Sequence, residues 1–131
     1  MNYSIQGVED VEFEVHSLYE VLLKISDKRK ARGRRYALAT VLTLSVLAKL
    51  GGEDTPEGMA EWVKYRGQDL QASLRLKRES MPHAVTYRRV LGWAVDIKEL
   101  EGVLGDFFKG CQAQSEQLAM DAGHVQSQAK E

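Results

Sequence analysis

The chain contains 131 residues, of which 44% are hydrophobic, and its formal net charge is -1 at pH 7. A chain of this length and composition is expected to form one domain with a core of ordinary size. The single cysteine, Cys111, has no partner for an internal disulfide, which suits a reducing cytoplasm. The N-terminus lacks the basic start and the apolar run of a signal peptide, so we expect a cytoplasmic protein.

The small net charge conceals an uneven distribution along the chain. Residues 1–23 carry a net charge of -5, residues 24–90 carry +8 and residues 91–131 carry -4. Such segregation can place a basic face on a nearly neutral protein, and a basic face is typical of nucleic-acid binding. The alternative is that the acidic ends fold back and neutralise the middle.

An amphipathic helix is predicted near the N-terminus. Apolar residues recur three and four apart over about residues 8–25, and acidic residues lie outside this seam. We expect the seam to pack on the next helix, since it spans too few heptads for a lasting coiled coil with a second copy. Its apolar positions are Val8, Val11, Val15, Leu18, Leu22 and Ile25.

A basic connector and an apolar helix form the centre of the sequence. Residues 26–33 are polar and predict a solvated, partly mobile loop. Tyr36 to Leu50 contains one charge, Lys49, and has apolar residues on every side, which is typical of a helix at the centre of a bundle. This stretch is too short to cross a bilayer, so we expect no membrane partner. Gly51 and Gly52 are predicted to end the helix.

Three further helices are predicted in series. Asp54 or Thr55 caps the first, which contains Trp62 and ends at Gly67. The second covers residues 68–76, a turn precedes Pro82, and the third runs over residues 83–93. This order is that of a helix-turn-helix unit. In the third helix the predicted core positions are Val85, Val90 and Leu91, and the predicted solvent-facing ones are Thr86, Arg88 and Arg89.

A last helix is predicted from Asp96 to about Gly110. Gly102 and Gly105 inside it indicate either a weakened helix or a close helix contact. Residues 118–121 are predicted to begin a buried strand ending on Asp121, followed by a loose tail over residues 122–131. The aromatic residues Trp62, Trp93, Phe107 and Phe108 are interpreted as core. The predicted fold class is therefore all-α, a compact bundle of five to six helices around a buried central helix, with a helix-turn-helix-like unit.

No cofactor or metal site is predicted. His16, His83 and His124 lie far apart in the sequence, with no cysteine pair beside them, so they do not form a zinc motif. Cys111 lacks an evident activating partner. The sequence contains no glycine-rich phosphate loop.

Four blocks of the sequence carry a resemblance to a known family. They are the run from Asp27 to Leu38, the apolar helix that ends on Gly51 and Gly52, the segment Glu57–Trp62, and Met81–Pro82 with the following Thr86–Leu91. In this order they resemble the N-terminal associated domain of ISAs1-family transposases, a branch of the DDE transposases related to H-repeat proteins. The resemblance covers about residues 18–127. It implies a helical domain that takes part in recognising transposon DNA and precedes an RNase H-like catalytic domain.

The sequence departs from that family at the expected start of the catalytic domain. Residues 118–121 fit a strand that ends on the first catalytic aspartate, but Ala122 and Gly123 stand where the family has glycine and lysine. The second aspartate and the glutamate of a DDE site have no counterpart in the ten residues after Asp121. We therefore expect a helical DNA-binding domain over residues 1–117, a catalytic-domain remnant or loose tail over residues 118–131, and no enzyme activity.

The predicted function is that of a transposase-derived DNA-binding module or accessory subunit that binds double-stranded DNA. The alternative is a protein-interaction subunit of a larger nucleic-acid-targeting complex that binds no DNA itself. Candidate protein partners are a transposase, other subunits of such a complex and a second copy of the chain. A structural ion pair of one arginine, or inward packing of Tyr87 or Arg89, is a competing interpretation for the third helix. The predicted DNA-binding residues are Lys28, Arg29, Lys30, Arg32, Arg34, Arg35, Thr86, Tyr87, Arg88 and Arg89.

Overall fold

Helices make up most of the described chain. The structure, a computed structural model, describes residues 2–5, 11–76 and 80–129, with side chains for 14–76 and 80–113. Within these ranges the six α-helices are α1 Val15–Leu22, α2 Leu38–Leu50, α3 Pro56–Tyr65, α4 Gly67–Leu74, α5 Ala84–Arg89 and α6 Ile97–Ala129. The all-α prediction is confirmed, with α2 at the centre.

A short antiparallel hairpin precedes the helices. Strand β1, Asn2–Ile5, pairs with strand β2, Val11–Glu14, and α1 begins only at Val15. The predicted helix over residues 8–25 is therefore wrong in its first half, although Val8 lies outside the described residues. Val-Glu-Phe-Glu alternates apolar and polar residues as a strand does, and a stretch of four residues with this spacing also fits the start of an amphipathic helix. The rest of the predicted seam, from Val15 to Ile25, is buried as expected.

Helix α2 is the buried centre of the bundle, as its sequence predicts. Ten of its 13 residues are buried. Two of its three buried hydroxyls bond within the helix, because Thr43 Oγ1 donates to the carbonyl of Ala39 and Ser45 Oγ donates to that of Val41, both at 2.7 Å. Helices α1 and α3 pack on α2. Burial of apolar surface on all its sides explains why a helix with so few polar residues is stable here.

The end of α2 needs both of its glycines, for different reasons. Gly52 adopts φ +101°, a left-handed conformation that favours glycine. Gly51 has an ordinary φ, but a Cβ atom there would overlap the indole of Trp62 on α3. Thr55 then caps α3 by accepting the N–H of Gly58 at 3.0 Å, whereas Asp54 pairs with Lys49.

The series α3, α4 and α5 appears in the predicted order. Helix α5 packs on α3 and continues into a π-helical turn over Val90–Ala94. Two predicted core residues are exposed instead, Val85 by 57% and Trp93 by 51%. The buried residues of this segment are Tyr87, Val90 and Ala94, which recur three and four residues apart and so form its inward face.

Helix α6 is longer than predicted. Asp96 Oδ1 accepts the N–H of Lys98 at 2.9 Å and caps the helix as expected. The helix then continues unbroken to Ala129, so the predicted end at Gly110, the strand over residues 118–121 and the loose tail are wrong as far as residue 129. A glycine inside a helix costs only about 1 kcal/mol, which neighbouring turns can absorb. The domain boundary proposed after residue 117 stays a prediction and falls inside this helix.

Gly102 and Gly105 inside α6 have open space around them. A Cβ at Gly102 or Gly105 would meet no described atom within 4 Å, so neither marks a close helix contact. In the described part of the chain, no helix combines the length and apolar character required of a membrane span.

Candidate nucleic-acid interface

The basic loop, residues 28–35, is anchored by a buried ion pair. Arg29 is only 3% exposed, and its Nε and Nη2 atoms donate to Oδ1 and Oδ2 of Asp27 at 3.0 and 2.9 Å. Nη2 also donates to the carbonyl of Tyr36 at 3.0 Å, at the entrance of α2. Arg29 was predicted to contact DNA, and this is corrected: its guanidinium faces the protein and holds the loop in shape.

Arg34 braces the same loop from outside. Its Nε donates to the carbonyl of Arg29 at 2.9 Å and its Nη2 to that of Asp27 at 3.0 Å. Burial raises the pKa of Asp27, but hydrogen bonds from Arg29 and the charges of Arg29 and Arg34 outweigh this effect and lower the pKa below its ordinary value. The loop predicted to be partly mobile is therefore tied by specific hydrogen bonds.

Four cations of the basic loop point into solvent. Lys28, Lys30, Arg32 and Arg35 are exposed, and none forms an ion pair with a residue that the structure describes. The Arg35 guanidinium lies 5.9 Å from the centre of the Tyr36 ring, which orients it. Such unpaired cations on a fixed backbone suit a phosphate ligand.

The loop lies against the end of α5. The N–H of Lys28 donates to the carbonyl of Ala94 at 2.9 Å, which ties the loop to the π-helical turn. The guanidinium of Arg89 lies beside Gly33, with Nη1 4.0 Å from the position that a Cβ would occupy there. Two predicted segments that are more than 50 residues apart in sequence thus meet on one surface.

The four predicted DNA-binding residues of α5 differ in burial and in partners. Tyr87 is fully buried, so its predicted DNA contact is corrected in favour of inward packing. Arg88 is exposed and forms an ion pair with Glu57 on α3. The competing interpretation of a structural ion pair for one arginine therefore applies to Arg88. Arg89 is exposed and has no ion-pair partner in the described part of the chain, while Thr86 is partly buried.

The Tyr87 hydroxyl has no hydrogen-bond partner among described residues. Burial and the neighbouring Tyr36 both raise its pKa, so the phenol stays neutral at all physiological pH values. Replacing Tyr87 by phenylalanine is expected to raise the free energy of unfolding by about 1 kcal/mol, because an unsatisfied buried hydroxyl is removed while the ring stays. Urea denaturation would measure this, and a loss of stability would show that the hydroxyl has a partner.

The interface has no described metal site. No group of three histidine, cysteine, aspartate or glutamate residues in the described ranges could hold a metal ion. Sequence reasoning missed one exposed residue here, Trp93, because a tryptophan among apolar residues at helical spacing is usually core. Its position four residues after Arg89 is the only signal that the sequence offered.

Comparison with known proteins bears on this surface. The family model described as DDE_Tnp_1-associated matches residues 19–108, which include the basic loop, α2 and the whole of α3 to α5. No curated protein and no solved structure was found to match the chain. The matched segment covers most of the sequence. The chain therefore belongs to the DDE_Tnp_1-associated family of transposase-associated domains.

Proposed function

We propose that this chain is a DNA-binding module derived from a DDE transposase of the ISAs1 branch, acting on mobile-element or target DNA. The observation that carries the proposal is the meeting of the exposed loop cations with Arg89 on one surface. Family membership supports a transposase-related role. The module would serve as an accessory protein, as a regulator of a transposase or as a subunit of a DNA-targeting complex.

In this proposal the loop holds the DNA backbone. Lys28, Lys30, Arg32 and Arg35 contact phosphates, while Arg29 and Arg34 keep the loop in its binding conformation. Because the loop is ordered by the Asp27 ion pair before DNA arrives, little conformational entropy is lost on binding. Affinity then comes from phosphate neutralisation and falls steeply as salt rises.

Helix α5 supplies the part that reads sequence. Arg89 approaches the base edges directly. Arg88 also contacts the DNA after releasing its ion pair with Glu57. That release costs little, since both side chains of the pair are well exposed and such pairs contribute at most about 1 kcal/mol. A bidentate arginine on guanine would discriminate against a wrong base by about 1 to 3 kcal/mol.

We further propose that the chain acts without cleaving DNA. Incubation of DNA with the protein and Mg²⁺ is expected to leave the DNA intact. Cleavage that disappears in Asp121→Ala would contradict this proposal.

The DNA-binding test is fluorescence anisotropy of labelled duplexes titrated over a range of salt concentrations. The double variant Arg32→Gln/Arg35→Gln is expected to lower the slope of log K against log salt by about 2, since each phosphate contact contributes about 1. The matched control is Lys64→Gln, which removes an exposed cation from α3. Equal slopes for the double variant and the control would overturn the proposed role of the loop.

The same titration distinguishes a DNA-binding module from a protein-interaction subunit that binds no DNA itself. Arg88→Glu/Arg89→Glu is expected to abolish any preference for one duplex over another. Binding that ignores sequence and vanishes near physiological salt would instead favour a protein-interaction subunit, with the basic loop docking an acidic partner.

A further inference from the structure

Trp93 is exposed where a tryptophan would ordinarily be buried. It is 51% exposed, whereas the other tryptophan, Trp62, is 7% exposed and lies against Gly51. Trp93 occurs in the π-helical turn, a rare element that is frequent at functional sites. Leaving so much of a large aromatic ring in water is unfavourable, and a bound ligand would offset that cost.

The surroundings of Trp93 are those of the basic loop. Arg89 precedes it by four residues, and residues four to five apart share one face of a π turn, whose hydrogen bonds join residues five apart. The next residue, Ala94, accepts the N–H of Lys28, the first cation of the loop. The space beside Gly92 is open to 4 Å among described atoms, so an approaching group meets no obstacle there.

The first acid after Trp93 in the sequence serves as a helix cap. Asp96 lies three residues after Trp93, and its carboxylate is engaged by the N–H of Lys98 at 2.9 Å as the cap of α6. Trp93 thus lies in the turn that the backbone of Lys28 contacts, just before the capped start of α6. A flat apolar face beside unpaired cations matches a nucleotide with a free base face and a nearby phosphate.

We propose that Trp93 stacks on an unpaired base of DNA whose backbone is held by the basic loop. The inference rests on the proposed DNA-binding function and adds the class of DNA, a duplex with a single-stranded stretch. An unpaired base is favoured over a paired one because every base inside a duplex is already stacked, and extruding it costs a few kcal/mol. Stacking on an aromatic side chain is tolerant of base identity, so this contact adds affinity rather than sequence preference.

The test compares two DNA duplexes of equal charge. Both carry the same short single-stranded extension, but in one the extension has bases and in the other it is abasic. The wild-type protein is expected to bind the base-bearing DNA about tenfold more tightly. Trp93→Leu is expected to bind both equally, with affinity for the abasic DNA unchanged within about twofold. Tyr65→Leu, which removes an exposed aromatic from α3, is the matched control and should keep the preference.

A second measurement needs no variant. In the free wild-type protein, acrylamide is expected to quench the fluorescence of exposed Trp93 and to spare buried Trp62. Saturation with the base-bearing DNA should shield Trp93 from acrylamide, and saturation with the abasic DNA should not. Equal affinity and equal shielding for the two DNAs would overturn the stacking role while the DNA-binding function stands. Absence of binding to either DNA would overturn both.

Discussion

Replacing Arg29 by methionine is expected to lower the free energy of unfolding by about 3 kcal/mol, near the lower end of the cost of breaking a buried ion pair. The variant removes three hydrogen bonds to the carboxylate of Asp27 and one to the carbonyl of Tyr36. Arg34, at 3.4 Å, and the backbone N–H of residue 29 still contact the carboxylate, which is why the loss stays near that lower end. Urea denaturation followed by circular dichroism measures it.

The same variant is expected to weaken DNA binding although the Arg29 guanidinium is buried against the protein. Without the ion pair the loop must be ordered at the moment of binding, and that entropy cost is subtracted from affinity. The matched control is Lys64→Met, which removes an exposed cation from α3 and should leave stability within about 0.5 kcal/mol of the wild type. Adding Asp27→Asn to Arg29→Met should recover part of the lost stability, because the uncompensated buried charge disappears.

Acid is expected to erase the difference between the wild type and Arg29→Met. The folded-state pKa of Asp27 is lowered from its ordinary value of 3.8. The stabilisation from this carboxylate is therefore fully present above that value and is lost as the pH falls through the folded-state pKa. Unfolding free energies of the two proteins should begin to converge below about pH 3.8 and should meet below the folded-state pKa of Asp27. A constant difference down to low pH would show that the Arg29 effect does not depend on the carboxylate.

Replacing Gly51 by alanine is expected to cost about 2 kcal/mol, because an added methyl group must displace the Trp62 indole from a packed site. The guanidinium of Arg66 also contacts this ring, 4.1 Å from its centre, and is itself fixed by donating from Nη1 to the Trp62 backbone carbonyl at 3.1 Å. Displacing the indole would disturb this stacking contact. Chemical denaturation, together with the near-ultraviolet circular dichroism of Trp62, would report both the loss of stability and the movement of the ring.

Gly105→Ala is the matched control for Gly51→Ala. Gly105 lies in α6 with open space around the added Cβ, so alanine there is expected to stabilise the protein by up to about 1 kcal/mol. The same chemical change thus has opposite effects at the two sites. Combining Gly51→Ala with Trp62→Leu should cost less than the sum of the two single changes, since the smaller side chain removes the overlap. Strict additivity would contradict the close approach of Trp62 to Gly51.

Much of the fold was predictable because its signals are local. A stretch that is apolar on every side has no stable place except the bundle centre, and α2 lies there. Thr55 before Pro56 and Asp96 before Ile97 each begin a helix through a side-chain cap that three or four residues define. The hairpin strand β2 was missed because four alternating residues also fit the start of a helix.

The candidate interface was predictable only as a set of residues, because periodicity does not specify which partner each cation takes, whether Asp27 beside Arg29 or Glu57 on another helix for Arg88. The order of charges along the sequence was enough to show that the basic residues cluster between residues 24 and 90. Tertiary structure decided that Arg29 turns inward to Asp27, that Arg88 meets Glu57 across two helices, and that Arg89 lies beside the loop. It also decided which aromatic is buried, since Tyr87 on α5 lies in the core while Trp93 in the π-helical turn remains in solvent. Periodicity specifies a face of a helix, whereas burial of one residue depends on what packs against that face.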